Sequence, residues 1–399
     1  VLKGRMGFDG FVISDWNAID QLPGDYSAHV RAAVDAGVDM MMVPYSYKDF
    51  TAQLVAEVQA GRISEQRIDD AVSRILTQKF RLGLFEKPYA DTSGAPAIGS
   101  AAHRAVARQA AAESQVLLKN ANGVLPLKKN QKVYVAGSDA DDLGNQTGGW
   151  TVTWQGASGT HTQGTTILAG MRKDGDVTYS KDASAPTAGY DVGVVVVGET
   201  PYAEGVGDVG NGHDLQLSAA DKAAVDKVCA AMKCAVLIVS GRPQLIGDRL
   251  GEIDGLVASW LPGTEGDGVA DVLYGKRPFT GQLPVTWPKS EGQLPINVGD
   301  TAYDPQFPYG WGLTTLTEVP EGGAVTLKAL AVAAAVAEKA DADEAGRALV
   351  TRARLIVQQK AGTAVTEAVA KPFADADHLS LTGRYRAAVE KLITAYRAT

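Results

Sequence analysis

The chain has 399 residues, 45% of them hydrophobic and 21% charged, enough apolar mass for two or three cores and a composition that excludes disorder as the main state. Lys and Arg number 38 against 46 Asp and Glu, a net charge of -8 that offers no footprint for a polyanion and argues against a nucleic-acid partner. No run of 18 apolar residues occurs, so no membrane span is expected.

The first residues, Val1 to Met6, lack the order of a signal peptide and read as the middle of a longer protein. Phe8 to Ile13 and Val38 to Val43 are short apolar runs with an amphipathic stretch between them, a strand, helix, strand order. From Thr51 to Leu82, apolar residues at helical spacing, interrupted by Gly61, predict two helices in series. Residues 86–100 carry Pro88, Gly94, Pro96 and Gly99 without a period and read as a linker.

A second unit over 101–316 opens with a helix near Ala101 to Leu118. Apolar runs follow at Val133 to Ala136, Val192 to Val197, Ala235 to Val239 and Gly255 to Ser259, alternating with helical patterns at Ser218 to Met232 and Gly266 to Tyr274. That alternation predicts an α/β unit built on a parallel sheet covered on both faces. Residues 317–399 become rich in Ala with Lys, Glu and Arg at helical spacing, and all six tryptophans precede them. The tail is expected to be helical and dispensable to the second unit.

Three stretches could carry chemistry. In GFVISDW an apolar strand runs into Asp15 and Trp16; strand C-termini are where α/β architectures place reactive groups. Asp15 is a candidate nucleophile, or equally the N-cap of the next helix. The run Val194 to Asp208 leads from a strand into a glycine-rich loop with Glu199, Glu204 and Asp208, either a mobile polar loop over a site or an ordinary soluble connection. In GGWTVTWQG, Trp150 and Trp154 lie between glycines; indoles on a loop suit stacking against sugars, and a core anchor is the alternative, a fair one for Trp150. GSDADDLG after Val133 to Ala136 lacks the dinucleotide glycine order, and its aspartates would repel a pyrophosphate. The five histidines show no metal-ligand spacing. Cys229 and Cys234 can form a local disulfide or remain two buried thiols.

Taken together these motifs resemble glycoside hydrolase family three, in its exo-acting β-glucosidase and β-glucan glucohydrolase branch. The matching stretches include GFDGFVISDW, AGVDMMMVP, ILTQKFRLGLFE, SQVLLKNANGVLPL, VVVVGETPYAEGVGD, VSGRP, WLPGTEGDGVADVLYG and FTGQLPVTWP, from about Leu2 to Leu313. The resemblance implies a (β/α)8 barrel followed by an α/β sandwich domain, with the active site in the cleft between them. Residues 1–85 would be the last two strand-helix units of that barrel, since a whole one takes about 250 residues. It implies Asp15 as nucleophile and Glu204 as acid/base, with Glu199 the alternative, and Asp15 and Glu204 approaching across the cleft. Trp16 and Trp154 would face each other at the entrance, and the cysteines would be bonded in a local disulfide. On closing over a sugar, Glu204 would have its pKa raised.

The resemblance further implies a retaining exo-acting β-glucosidase that removes terminal β-linked glucose from β-glucans or cello-oligosaccharides, periplasmic or secreted in its full-length parent, with no metal or organic cofactor. A non-catalytic carbohydrate-binding or structural module is the competing reading. A β-N-acetylhexosaminidase is disfavoured, because those relatives commonly draw their acid/base from a barrel loop. The chain by itself is expected to hydrolyse aryl β-glucosides poorly or not at all, since contacts to the terminal glucose would come from other strands.

Overall fold

The computed structural model describes residues 1–211, 213–313 and 315, then 327, 330, 331, 334, 335, 338, 349–351, 353, 354, 356–358, 360 and 367–398. Leu316 and Thr317, where the second unit ends and the tail begins in the reading above, lie outside the described residues. Two compact units divide between Ile98 and Gly99.

In the first unit a short helix α1 (Leu2–Arg5) precedes β1 (Ile13–Trp16), and α2 (Tyr26–Asp35) leads to β2 (Met40–Met42). Helices α3 (Tyr47–Gln59) and α4 (Glu65–Arg81) follow in series across Gly61, whose φ of 70° suits glycine. The two strands pair in parallel, Ile13 opposite Met40. The first strand begins later than the apolar run suggested. Phe8 to Val12 are not strand, because the Val12 N–H turns to the Asp39 carboxylate at 2.8 Å instead of to a neighbouring strand. Asp39 is buried and also receives Lys3 at 2.7 Å and Arg67 at 2.8 Å. Burial alone would raise its carboxyl pKa, but the bonds from Lys3, the Val12 amide and Arg67 outweigh it and hold the group below its ordinary value. One carboxylate thus ties α1, α4 and the starts of both strands. Beneath the helices Ile19, Val30, Ala33, Val34, Val43 and Ile63 form a small core.

The second unit is built on a six-stranded sheet. After α5 (Ala101–Ser114) come β3 (Val116–Asn120), β4 (Lys132–Ala136), α6 (Leu143–Thr147), α7 (Ile167–Arg172) and β5 (Asp176–Tyr179). Then follow β6 (Val192–Gly198), α8 (Ala219–Ala231), β7 (Cys234–Val239), β8 (Gly255–Ala258) and α9 (Gly266–Leu273). The spatial order is β3-β8-β7-β6-β4-β5. Val192 to Val197 and all of β7 are buried, as expected of strands covered on both faces.

The sheet is mixed, not wholly parallel: β3 runs antiparallel to β8. The expected helix near Ala101 to Leu118 ends at Ser114, and its last residues belong to β3. Buried Gln115 marks the change, its amide accepting from the Ser259 hydroxyl at 2.7 Å and donating to the Ser259 carbonyl at 3.2 Å. Cys229 and Cys234 form a disulfide joining the end of α8 to the start of β7.

In the tail, α10 (Glu367–Leu381) and α11 (Tyr385–Ala398) are helices. The tail is not a detachable appendage. Phe373, Tyr385, Leu392 and Ile356 bury in the same apolar cluster as the sheet, and Phe373 lies against Trp311 with centroids 5.7 Å apart. Arg354 bonds Asp377 and the Gly310 carbonyl. Few aromatics occur in the tail, but alanines at 0% exposure such as Ala353, Ala376 and Ala388 let its helices pack closely.

Candidate functional site

Asp15 is the third residue of β1 and is exposed. Its Oδ1 accepts the Trp16 N–H at 2.6 Å, and the Ser14 hydroxyl donates to its carbonyl while accepting the Met42 N–H at 2.8 Å. The side chain is not a helix cap: α2 is capped by Asp25, which accepts the Ala28 N–H at 2.8 Å. Trp16 is half exposed and meets Tyr45 edge to face at 5.7 Å. The first unit therefore presents a fixed, water-facing carboxylate beside an indole on a strand locked to its neighbour.

In the second unit β4 lies between β5 and β6, so the chain reverses its direction of winding there. Loops leaving the carboxyl ends of β4 and β6 flank this switch point, the place where open α/β sheets bind ligands. Both loops begin at glycines that tolerate no side chain: a Cβ on Gly137 would lie 2.0 Å from the Val196 carbonyl oxygen, and one on Gly198 1.8 Å from that of Val239. Farther out, a Cβ on Gly149 would lie 2.0 Å from the Tyr202 carbonyl oxygen. The loop after β4 carries Trp150 and Trp154, that after β6 Glu199 and Glu204, and the two meet main chain to main chain.

The two glutamates have different surroundings. Glu199 is nearly buried and fully engaged: Arg242 grips it through Nη2 at 2.7 Å and Nε at 3.0 Å, Tyr202 donates at 3.0 Å, and the Ser240 hydroxyl donates as well. Arg242 also donates to the Gly207 carbonyl at 2.5 Å and stacks on the Tyr202 ring at 4.3 Å. One guanidinium therefore holds the loop at residues 199, 202 and 207, on both sides of Glu204.

Glu204 stands exposed at the loop's crest, where the Trp154 indole N–H donates to its Oε2 at 2.5 Å. That bond is the main cause holding its carboxyl below the ordinary value, and Trp150 adds a smaller lowering. The direction is opposite to the rise expected on closure over a sugar. Gln155 completes the link, its side-chain oxygen accepting the Ala203 N–H at 2.8 Å. Glu204 thus stands beside two indoles with no ion pair among the described residues, whereas Glu199 is paired with Arg242.

Sequence reading did not foresee the role of Arg242, which lies 43 positions from its partner, although the VSGRP stretch containing it stood out. Asp139, one of the aspartates of the GSDADDLG stretch set aside as a dinucleotide turn, is buried. Burial pushes the Asp139 carboxyl up to about 7 against the lowering bond from Asn145, with nearby Asp221 adding to the rise. Asp15 and Trp16 belong to the first unit, Glu204 and Trp154 to the second.

Residues 1–78 match the Glycosyl hydrolase family 3 N terminal domain and residues 115–315 the Glycosyl hydrolase family 3 C-terminal domain. The lysosomal beta glucosidase of Dictyostelium discoideum is 33% identical over 79% of this chain and 43% of its own length. The periplasmic beta-glucosidase of Salmonella typhimurium is 29% identical over 79% and 49%. Among solved structures, a Q683A mutant of an exo-1,3/1,4-beta-glucanase from a Pseudoalteromonas species superposes with a TM-score of 0.74 at 39% identity, covering 80% of this chain and 55% of the other. A beta-glucosidase from Listeria innocua in complex with glucose gives 0.68 at 27% identity, covering 79% and 48%. The chain thus spans about half the length of the relatives it matches. With both domain matches in sequence order and the C-terminal one covering residues 115–315, the chain belongs to glycosyl hydrolase family 3.

Proposed function

We propose that this chain carries the two catalytic carboxylates of a retaining exo-acting β-glucosidase that removes terminal β-linked glucose from β-glucans or cello-oligosaccharides. The observation that carries the reading is the contrast between Glu199, paired with Arg242, and Glu204, exposed on an anchored loop and bonded to the Trp154 indole. Asp15 acts as nucleophile: its oxygen attacks the anomeric carbon while the glycosidic oxygen leaves with a proton from Glu204, giving a glycosyl-enzyme ester. Glu204, now a base, takes a proton from water, which attacks the same carbon and returns Asp15 as carboxylate. Trp16 and Trp154 serve as stacking surfaces for sugar rings.

The strand-helix repeat of residues 1–85, with β1 and β2 parallel, supports reading that segment as two adjacent units of a (β/α)8 barrel, followed by a linker at 86–100 and a sandwich domain at 101–316. The disulfide and the relatives named as periplasmic support a periplasmic or secreted location. No helix among the described residues is long and apolar enough to cross a membrane.

The test is trapping with a 2-deoxy-2-fluoro-β-glucosyl fluoride, which registers a single turnover even where steady-state hydrolysis is slow. The expected result is one fluoroglucosyl adduct, mapped by mass spectrometry to Asp15 and absent in Asp15→Asn. An adduct on another carboxylate overturns the nucleophile. Binding of gluco-oligosaccharides without any adduct would replace the enzyme by a carbohydrate-binding module, the reading favoured otherwise by the exposed indoles.

A further inference from the structure

A cavity of about 650 Å³ lies in the second unit between the end of β3, residues 298–307 and α10. Asn120, at the end of β3, pairs with Gly255 at the start of β8. This is the amino end of the parallel strands, opposite the end from which the Glu204 loop leaves. The buried Phe307 and Ala374 supply an apolar wall, and α10 lies past residue 315, where the family match ends. The charges around the cavity are unevenly satisfied. Asp304 is paired with Lys289 at 2.5 Å, Asp375 with Lys391 at 3.0 Å, and Asp300 accepts the Asn297 N–H at 2.7 Å. Lys119 and Lys371 also line the cavity, and neither has an ion-pair partner among the described residues. Lys119 is partly buried and donates to the Leu250 carbonyl at 2.6 Å, its remaining N–H groups finding no acceptor among the described residues. Burial pulls its pKa below the ordinary value, opposed only in part by the charge of Asp254. An ammonium withdrawn from water without a counter-ion is costly, and an anion in the cavity would relieve that cost.

We propose that this cavity binds a small organic dianion, a dicarboxylate or a phosphate monoester, held between the Lys119 and Lys371 ammonium groups with its carbon body against Phe307 and Ala374. The volume falls within the range of about 300 to 1,000 Å³ usual for small-molecule sites, more than an inorganic ion requires. One negative charge satisfies one ammonium; a second is needed to join β3 to α10. The bound dianion therefore ties the tail helix to the sheet. The inference does not rest on the carbohydrate reading above.

The experiment is isothermal titration of the full chain at constant ionic strength with succinate and glycerol phosphate, and with propionate as the single-charge control. Expected is binding of at least one dianion about tenfold tighter than propionate, the tighter of the two identifying the acid group the site takes. Lys371→Ala, at an exposed position, should weaken that dianion about tenfold, and Lys119→Met should do the same. Lys129→Ala, which removes an exposed lysine outside the cavity, should change nothing. Dianions binding no tighter than propionate, undiminished binding in Lys371→Ala, or an equal loss in Lys129→Ala overturns the proposal.

Discussion

The indole N–H of Trp154 donates to the carboxylate of Glu204 at 2.5 Å, joining loops from two neighbouring strands. Because this bond favours the ionised acid, its removal should raise the Glu204 pKa toward the ordinary value. Trp154→Phe keeps a ring and loses the donor. Carboxyl carbon shifts in NMR titrations, assigned through Glu204→Gln, should show a higher midpoint in the variant, and an unchanged midpoint would remove the indole as the cause.

Arg242→Ala would leave the Glu199 carboxylate nearly buried without its cation. Loss of one partner of such a pair costs about 3 kcal/mol, and here it also frees the loop at Gly207. Urea unfolding should register the loss, and amide exchange over residues 203–211 should accelerate. Arg242→Lys cannot reproduce the two-pronged grip and should fall between. Wild-type exchange in Arg242→Ala would mean that the loop is held by other contacts.

For Asp139 the sign is set by a folded pKa raised to about 7. Between the unfolded value and that one, the native state binds more protons than the unfolded chain, so stability falls as pH rises through this window. Asp139→Asn removes the titration. Unfolding free energies measured from about pH 4 to 8 should slope downward for the wild type and flatten in the variant. Parallel curves would place the acid's ionisation elsewhere.

Removal of residues 317–399 should destabilise the second unit markedly, because Trp311 would lose Phe373 and the sheet cluster would lose Tyr385 and Leu392. Phe373→Ala alone should cost about 3 to 5 kcal/mol. Denaturant midpoints decide the matter: a truncated chain as stable as the whole would show that these side chains add nothing to the core.

Strands β4, β6, β7 and β8 were legible because strands buried on both faces need unbroken apolar residues, and helix limits such as those of α8 and α9 followed from periodicity. Strand β3 was not legible, since no Gly or Pro separates it from α5 and apolar residues fit either state; only the distant pairing with Ser259 decides. The tail's packing was hidden by its small residues, which signal helix but not what the helix touches. Residue chemistry left Asp15 balanced between nucleophile and helix cap, and the structure removes only the second role, which Asp25 fills. The different surroundings of Glu204 and Glu199 were not visible from residues alone, because they depend on where Arg242 lies.

The absent side chain at Gly149 has a consequence for how this region can change. At Gly149 main chain rests on main chain, so at that point no side chain can be trimmed to widen the gap or rotated to absorb a displacement. Glu204 and the indoles are therefore geared together. A substitution that moves the backbone around Glu204 moves the Trp150 and Trp154 rings with it, so the two loops change together as one exchangeable cassette.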